Sequence, residues 1–330
     1  MPRVSVIIPA YNSEDTLGEA LQSVRAQTYS DWEAIVVDDA STDETASLAE
    51  GFGDGFRVIR CRENGGAAAA RNMAAAAAEG EVLAFLDADD YWTPEFLDAQ
   101  VALYDRSEAP PPGIGIVACN TFVLGPDGIV PGTYGLRAPF RDPLTLSALL
   151  EGCSIMISGA IIPTAPFERA GGFSTECHTA EDFDLFIRLL ELGYEVVYNP
   201  EPLAVYRVHG ASTSENTANM ARSSALVYRR ALDRGRLDRR QRRISSRRLR
   251  HHRMAEDIAV FTELRGSGQS PSLGHLLGMG ARAARLAVDE PRQVFRSASR
   301  ALFGKGIRSG RVEEAVTRNA DKPSKRPVDP

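Results

Sequence analysis

Acidic residues mark the places in this sequence where chemistry could reside. Asp38 and Asp39 end one apolar run, Ala34 to Val37, and Asp87, Asp89 and Asp90 follow another, Val82 to Leu86. Carboxylates crowded at one edge repel each other, and a hard divalent cation with oxygen ligands, Mg2+ or Mn2+, relieves that repulsion. A metal held by such a cluster suits a diphosphate, because it neutralises phosphate charge and stabilises a phosphate leaving group. The sequence has no G-x-x-x-x-G-K-[ST] loop and no G-x-G-x-x-G after its first apolar run, so neither common nucleotide cradle is present. A third acidic run, Glu181-Asp182-Phe183-Asp184, opens a segment with helical spacing. A carboxylate near the start of a helix is an ordinary capping or dipole-stabilising residue. His209, after another apolar run, could complete the metal site, contact a diphosphate, or be an ordinary hydrogen-bonding residue. Arg207 could likewise pair with phosphate or with a structural acid.

These residues need elements to bring them together. Val4 to Pro9 is a β-branched run followed by Leu17, Ala20, Leu21 and Val24 at helical spacing, which predicts strand, loop, helix. Ala34 to Val37 repeats the strand signal, and Ser41-Thr42-Asp43-Glu44 reads as a capping box opening a helix through Leu48. Phe56 to Ile59, the alanine-rich Gly66 to Ala78 and the apolar Val82 to Leu86 continue the alternation. The pattern predicts an α/β fold with a mostly parallel sheet flanked by helices. In such a sheet ligands bind beyond the carboxyl ends of strands, so both aspartate clusters should face one crevice. Ala109-Pro110-Pro111-Pro112-Gly113 marks a boundary inside the domain. Ile114 to Val123 and Ile155 to Ile162 read as strands, and Asp182 to Leu192 as a helix. Residues 1–215 should form the catalytic domain, 216–307 a basic helical appendage, and 308–330, polar and proline-containing, a disordered tail. Within the appendage, Ser272 to Val288 and Arg292 to Phe303 are amphipathic.

Several motifs in order carry a resemblance. They are Val4-Ser5-Val6-Ile7-Ile8-Pro9-Ala10-Tyr11-Asn12, Val36-Val37-Asp38-Asp39-Ala40-Ser41-Thr42-Asp43, Asn64-Gly65-Gly66, Ala69-Ala70-Arg71-Asn72, Phe85-Leu86-Asp87-Ala88-Asp89-Asp90, Gly171-Gly172-Phe173, Ala180-Glu181-Asp182-Phe183-Asp184-Leu185 and Tyr206-Arg207-Val208-His209. Together they resemble glycosyltransferase family 2 over about residues 3 to 214, which implies the Rossmann-like GT-A fold. The resemblance places Pro9, Ala10 and Tyr11 around a nucleotide base, with Tyr11 stacking and Asp39 accepting a hydrogen bond. It puts Glu14 and Arg71 near the nucleotide and phosphates, Asp87 at the ribose or metal, Asp89 on the metal, and Asp182 in the role of catalytic base. The implied activity is inverting transfer of a sugar from a nucleotide diphosphate, UDP-linked by family inclination, to a hydroxyl of a saccharide or lipid-linked acceptor. Two alternatives stand beside it. One is a nucleotidyltransferase making sugar nucleotides, disfavoured by the missing glycine-rich loop. The other is a non-catalytic nucleotide-binding protein that recruits a membrane or partner.

Composition is ordinary for a globular protein: 43% hydrophobic and 25% charged residues over 330 positions support a sizeable core. The net charge of -6 conceals an arginine-crowded stretch from Arg222 to Arg253 that holds only Asp233 and Asp238 as acids. Such density suits an anionic membrane surface or a solvated helical face; nucleic acid is not expected, since no recognised binding motif accompanies it. Cys61, Cys119, Cys153 and Cys177 form no C-x-x-C pair, so they should be reduced, buried side chains. Neither a secretory signal nor a stretch of roughly 20 apolar residues is evident, which predicts a cytoplasmic protein, at most peripheral on the inner face of the cell membrane.

Overall fold

The structure is a computed structural model, and it describes residues 1–109, 112–125, 128–133, 143–208, 217–266 and 278. Among these, nine strands form one sheet: β1 Val4–Ala10, β2 Trp32–Asp38, β3 Phe56–Arg60, β4 Val82–Phe85, β5 Tyr91–Trp92, β6 Ile114–Gly125, β7 Gly128–Thr133, β8 Ala160–Pro163 and β9 Glu195–Arg207. Their order is β3-β2-β1-β4-β8-β6-β9-β5, with β7 paired to β6. The helices are α1 Leu17–Arg25, α2 Thr45–Gly51, α3 Ala67–Ala77, α4 Phe96–Arg106, α5 Leu146–Glu151, α6 Thr164–Ala170, α7 Glu181–Glu191, α8 Thr217–Asp233 and α9 Arg239–Gly266.

Strands β3, β2, β1 and β4 run parallel, as the alternation of strand and helix predicts. Beyond β4 the sheet is mixed: β4–β8, β8–β6, β6–β7 and β9–β5 are antiparallel, and only β6–β9 is parallel. The half that holds β1 to β4 is therefore the parallel part of a mixed sheet. Alternation along each strand loads both faces. Ile7, Ile35, Val37, Leu83 and Phe85 join a core under α3, α7 and α8, while Val6, Ile8, Val36, Val82 and Ala84 join a second core under α1 and α4. A strand buried on both sides is apolar over most of its length, which is why β4, residues 6–10 of β1 and residues 34–37 of β2 read as apolar runs.

Two local expectations change. Helix α2 starts at Thr45 rather than at Ser41, and its first turn is satisfied partly from the run itself and partly from the loop after β1: Asp43 Oδ1 accepts from Thr45 N at 3.0 Å and Glu14 Oε2 from Glu44 N at 2.9 Å. Ser41 Oγ instead accepts from Asn12 N at 2.9 Å, tying the loop after β1 to the loop after β2. The run Ile155 to Ile162 is a 3-10 turn, Ile157–Gly159, leading into β8.

The chain divides into two compact units, Met1–Glu256 and Asp257–Pro330. The first extends past residue 215 to include α8 and most of α9. Val227, Tyr228, Ala231 and Ile244 are buried in the same core as α7, and Tyr228 Oη donates to Leu150 O at 2.9 Å. In the second unit the described residues continue α9 to Gly266. The amphipathic segments 272–288 and 292–303 and the tail 308–330 lie outside the described residues, save for position 278.

Candidate active site

The site lies at the carboxyl ends of β1, β2 and β4, where parallel strands stop together. Pro9 and Ala10 are buried in the last turns of β1, and the chain then exposes Tyr11, whose relative accessibility is 50%. Asn12 and Ala40 hold positive φ values of 47° and 63°, so both loops turn sharply at the edge. Asp39 is buried and receives two amides, Gly65 N at 2.8 Å on Oδ1 and Gly66 N at 2.7 Å on Oδ2. Gly66 leads into α3 at φ 82°, a conformation glycine adopts without strain. The motif Asn64-Gly65-Gly66 is thus a loop folded over Asp39, and each carboxylate oxygen keeps a lone pair for a further donor. Glu14 is engaged at the start of α2 through Glu44 N.

At the end of β4, Asp87, Asp89 and Asp90 bring ligand atoms within 4.8 Å of one another. Asp90 is the buried member. Its Oδ1 accepts from Arg207 N at 2.9 Å, while Oδ2 is buried with no hydrogen-bond partner among the described residues. Burial, then the charges of Asp89 and Asp87, hold its carboxyl well above the usual carboxylate range. An all-oxygen set with an unsatisfied buried carboxylate oxygen fits a hard divalent cation. Arg207 does pair with an acid: its guanidinium meets Glu19 and donates to Asp89 O at 2.9 Å, bracing the cluster from β9. His209 lies outside the described residues.

Arg71 occupies the centre. It projects from α3, is 4% exposed, and spans two acids: Nη1 to Glu181 Oε1 at 2.6 Å and Nη2 to Asp87 Oδ1 at 2.5 Å. The sequence alone leaves this bridge unseen, because its three residues are separated by 16 and 110 positions. The neighbouring Asn72 grips the backbone of Phe173 in both directions at 2.8 Å, so α3 also fixes the Gly171-Gly172-Phe173 turn. The bridge sorts the acidic run that opens α7. Glu181 is spent on Arg71 and Asp184 on Arg188 and Arg234, while Asp182 makes one local bond, accepting from Phe183 N at 2.6 Å. Burial, followed by the negative charge of Glu181, pushes the Asp182 carboxyl up to about 7, against the pull of the Phe183 amide and Arg71.

Sequence comparison bears on this geometry. Glycosyl transferase family 2 matches residues 5–122, and Glycosyl transferase family group 2 matches residues 82–262. The chain is 31% identical over 220 residues to the UDP-Glc:alpha-D-GlcNAc-diphosphoundecaprenol beta-1,3-glucosyltransferase WfaP of Escherichia coli, covering 66% of this chain and 81% of that one. The chain is a family 2 glycosyltransferase. The architecture of this glycosyltransferase agrees with solved structures of lower identity. TarS of S. aureus in complex with UDP-GlcNAc superposes with a TM-score of 0.63 at 22% identity, covering 89% and 83% of the two chains. The mannosyltransferase PcManGT of Pyrobaculum calidifontis, in complex with GDP-Man and Mn2+, gives 0.62 at 24% identity, covering 92% and 88%. At those identities the likeness is one of fold, the GT-A fold. No helix among the described residues is long and apolar enough to cross a membrane.

The arginine-rich stretch is partly consumed within the glycosyltransferase itself. Arg230 and Arg234 reach the buried Asp184, Arg234 also binds Glu191 at 2.6 Å, and Arg247 and Arg248 face Glu151. Arg229, Arg236, Arg239, Arg240, Arg242 and Arg243 remain exposed.

Proposed function

We propose that this glycosyltransferase moves a sugar from a UDP-linked donor to a hydroxyl of a saccharide carried on a lipid diphosphate, with inversion at the anomeric carbon, in cell-envelope polysaccharide synthesis. The observation that carries the reading is Asp182: of the three acids that open α7, it alone makes no ion pair with an arginine of the fold. A carboxylate raised to about 7 is well matched to taking a hydroxyl proton near neutral pH. The names of WfaP and of the TarS complex support the donor and acceptor classes, since they speak of UDP-sugars and a diphospholipid acceptor in those proteins.

In this reading Tyr11 stacks on the base beside Pro9 and Ala10, and Asp39 accepts from it with its remaining lone pairs. Asp87 and Asp89, with Asp90 beside them, would hold Mg2+ or Mn2+, which supplies charge neutralisation for the diphosphate leaving group. Arg71 acts on phosphate only indirectly, through Asp87. Attack comes from the acceptor oxygen on the face opposite the departing diphosphate, and Asp182 receives the proton. A lipid-linked acceptor would bring the enzyme to the inner membrane face, where the exposed arginines of α9 meet anionic headgroups.

Asp182→Asn should lower turnover by about 10²- to 10⁴-fold, the usual contribution of a positioned base, while UDP binding in Mn2+ is retained. Transfer at near-normal rate would remove Asp182 from that role. Calorimetry with UDP, GDP and dTDP, with and without Mn2+, tests the donor site; Asp89→Ala should abolish the metal-dependent component of binding.

A further inference from the structure

Tyr11 carries an exposed ring on a backbone that is held from both sides. Before it, Ala10 O accepts from Asp39 N at 2.8 Å, where β1 and β2 run out in register at Ala10 and Asp38. After it, Asn12 clasps the loop that follows β2. Asn12 N donates to Ser41 Oγ at 2.9 Å, and Asn12 Oδ1 accepts from Thr42 N at 2.8 Å and from Thr42 Oγ1 at 3.3 Å. The seam continues one residue on, where Ser13 N donates to Thr45 Oγ1 at 2.7 Å and Ser13 Oγ to Tyr11 O at 3.1 Å. Both loops turn through left-handed backbone, Asn12 at φ 47° and Ala40 at φ 63°. Asparagine tolerates that region, whereas alanine is uncommon there, so the second loop holds a conformation its own sequence does not favour and meets Asn12 in it.

Asp39 is fixed to the same frame. Its carboxylate takes the Gly65 and Gly66 amides, and its carbonyl accepts from Asn64 Nδ2 at 3.1 Å. The backbone of Tyr11 therefore cannot move away from Asp39 without breaking the clasp. A frame of this kind is preorganised: the cost of placing the two groups is met in folding rather than when a ligand arrives.

We propose that Asn12 is a positioning residue that determines nucleotide specificity: by clasping Ser41 and Thr42 it fixes the backbone of Tyr11 relative to Asp39, and that fixed spacing selects a pyrimidine over a purine in the donor. The inference rests on the role proposed above for Tyr11 and Asp39 as the pair that holds the base of a UDP-linked sugar. Uracil and guanine each present a ring N–H that a carboxylate can accept, but the second ring of guanine carries that N–H farther from the ribose. A gap that cannot widen tells the two apart by length. A gap that can adjust binds both, because specificity is a difference between two affinities.

UDP and GDP are titrated calorimetrically into the full chain in Mn2+, and the ratio of their dissociation constants is the readout, with a thermal melt of each variant alongside. Both nucleotides carry the same diphosphate, so an effect on charge or on metal binding cancels in the ratio. The wild type should prefer UDP. Asn12→Gly keeps the positive φ without strain and removes the side-chain half of the clasp. It should shrink the preference for UDP by about tenfold, the order expected when the bonds to Thr42 are lost. Asn12→Asp keeps an acceptor for Thr42 and lacks the amide donors, so it should hold the wild-type ratio even where its added charge weakens both nucleotides. Tyr11→Ala should weaken UDP itself. An unchanged ratio in Asn12→Gly, beside weakened binding in Tyr11→Ala, overturns the proposal and leaves the base-binding pair standing. Undiminished UDP binding by Tyr11→Ala sinks that pair and the proposal with it. Loss of the preference in Asn12→Asp as well would mean that Nδ2 touches the nucleotide directly, which overturns the clasp as the cause, and a wild type that binds GDP as tightly as UDP overturns the proposal outright. Should Asn12→Gly fail to give a cooperative melt, Ser41→Ala removes the other acceptor of the clasp and should reduce the preference severalfold; an unmoved ratio there also overturns it.

Discussion

Glu181 and Asp182 are adjacent carboxylates with opposite fates, and the difference is one guanidinium. Arg71 holds Glu181 at 2.6 Å, so that side chain is committed as a charged partner, whereas Asp182 is raised to about 7 by burial and by Glu181 itself. In the role proposed for it, Asp182 must be deprotonated to act, so turnover should climb with pH through an inflection at about 7 and flatten above it, in a pH–rate profile under saturating donor. Stability runs the other way. A carboxyl whose folded pKa lies above its unfolded value favours the protonated fold; the native state therefore loses stability as pH rises from about 4 to about 7. Asp182→Asn should abolish that loss, so its melting temperature at pH 8 should equal or exceed the wild type's while its activity is gone. A mutant that melts lower at pH 8 would mean that the Asp182 charge is a structural asset. The aspartates at the strand ends were legible in the sequence because they interrupt apolar runs. The partnership of Arg71 was not, since no local pattern links α3 to the start of α7.

At the level of elements, α3 is the strut of the site. It carries Arg71 to both the β4 edge and α7, carries Asn72 to the Phe173 turn, and begins at the Gly65-Gly66 loop that folds over Asp39. Its alanine-rich face permits this, because small side chains let the helix lie close to the sheet while Arg71 passes beneath. Arg71→Ala would strand Asp87 and Glu181 in a largely buried setting, a change expected to cost about 3–5 kcal/mol. Arg71→Lys keeps the charge but offers one ammonium where a fork spans two acids. It should fold yet lose turnover more than it loses UDP affinity, and equal losses in both would argue that Arg71 serves the donor directly. Alternation of strands and helices foretold α1 to α3 and their parallel strands. It misplaced the start of α2, because Ser41, Thr42 and Glu44 find partners in the loop after β1 and only Asp43 bonds the first turn of the helix.

Over the whole molecule, α8 and α9 as far as Glu256 are part of the compact unit that holds the site. Asp184 is fully buried and Glu191 nearly so, and both depend on arginines from α8 and the turn after it. A truncation after residue 215 should therefore leave two buried carboxylates short of cations and uncover Phe183 and Leu150. We expect it to lose cooperative unfolding in a thermal melt; a truncated chain with the wild-type melting temperature would show the helices to be dispensable. The full chain should float with anionic liposomes at low salt and sediment at high salt, as exposed arginines on lipid headgroups require. By itself the sequence determined the parallel half of the sheet, the edge at which its acids collect, and the family, because unbroken apolar runs and the residues that end them are local features. Only the tertiary structure decided which acid of α7 is left without an arginine partner, how the second half of the sheet pairs, and that the arginine-rich helices brace the fold. Those outcomes depend on charges brought together from distant parts of the chain, where burial makes an unpaired carboxylate costly and the nearest guanidinium settles its role.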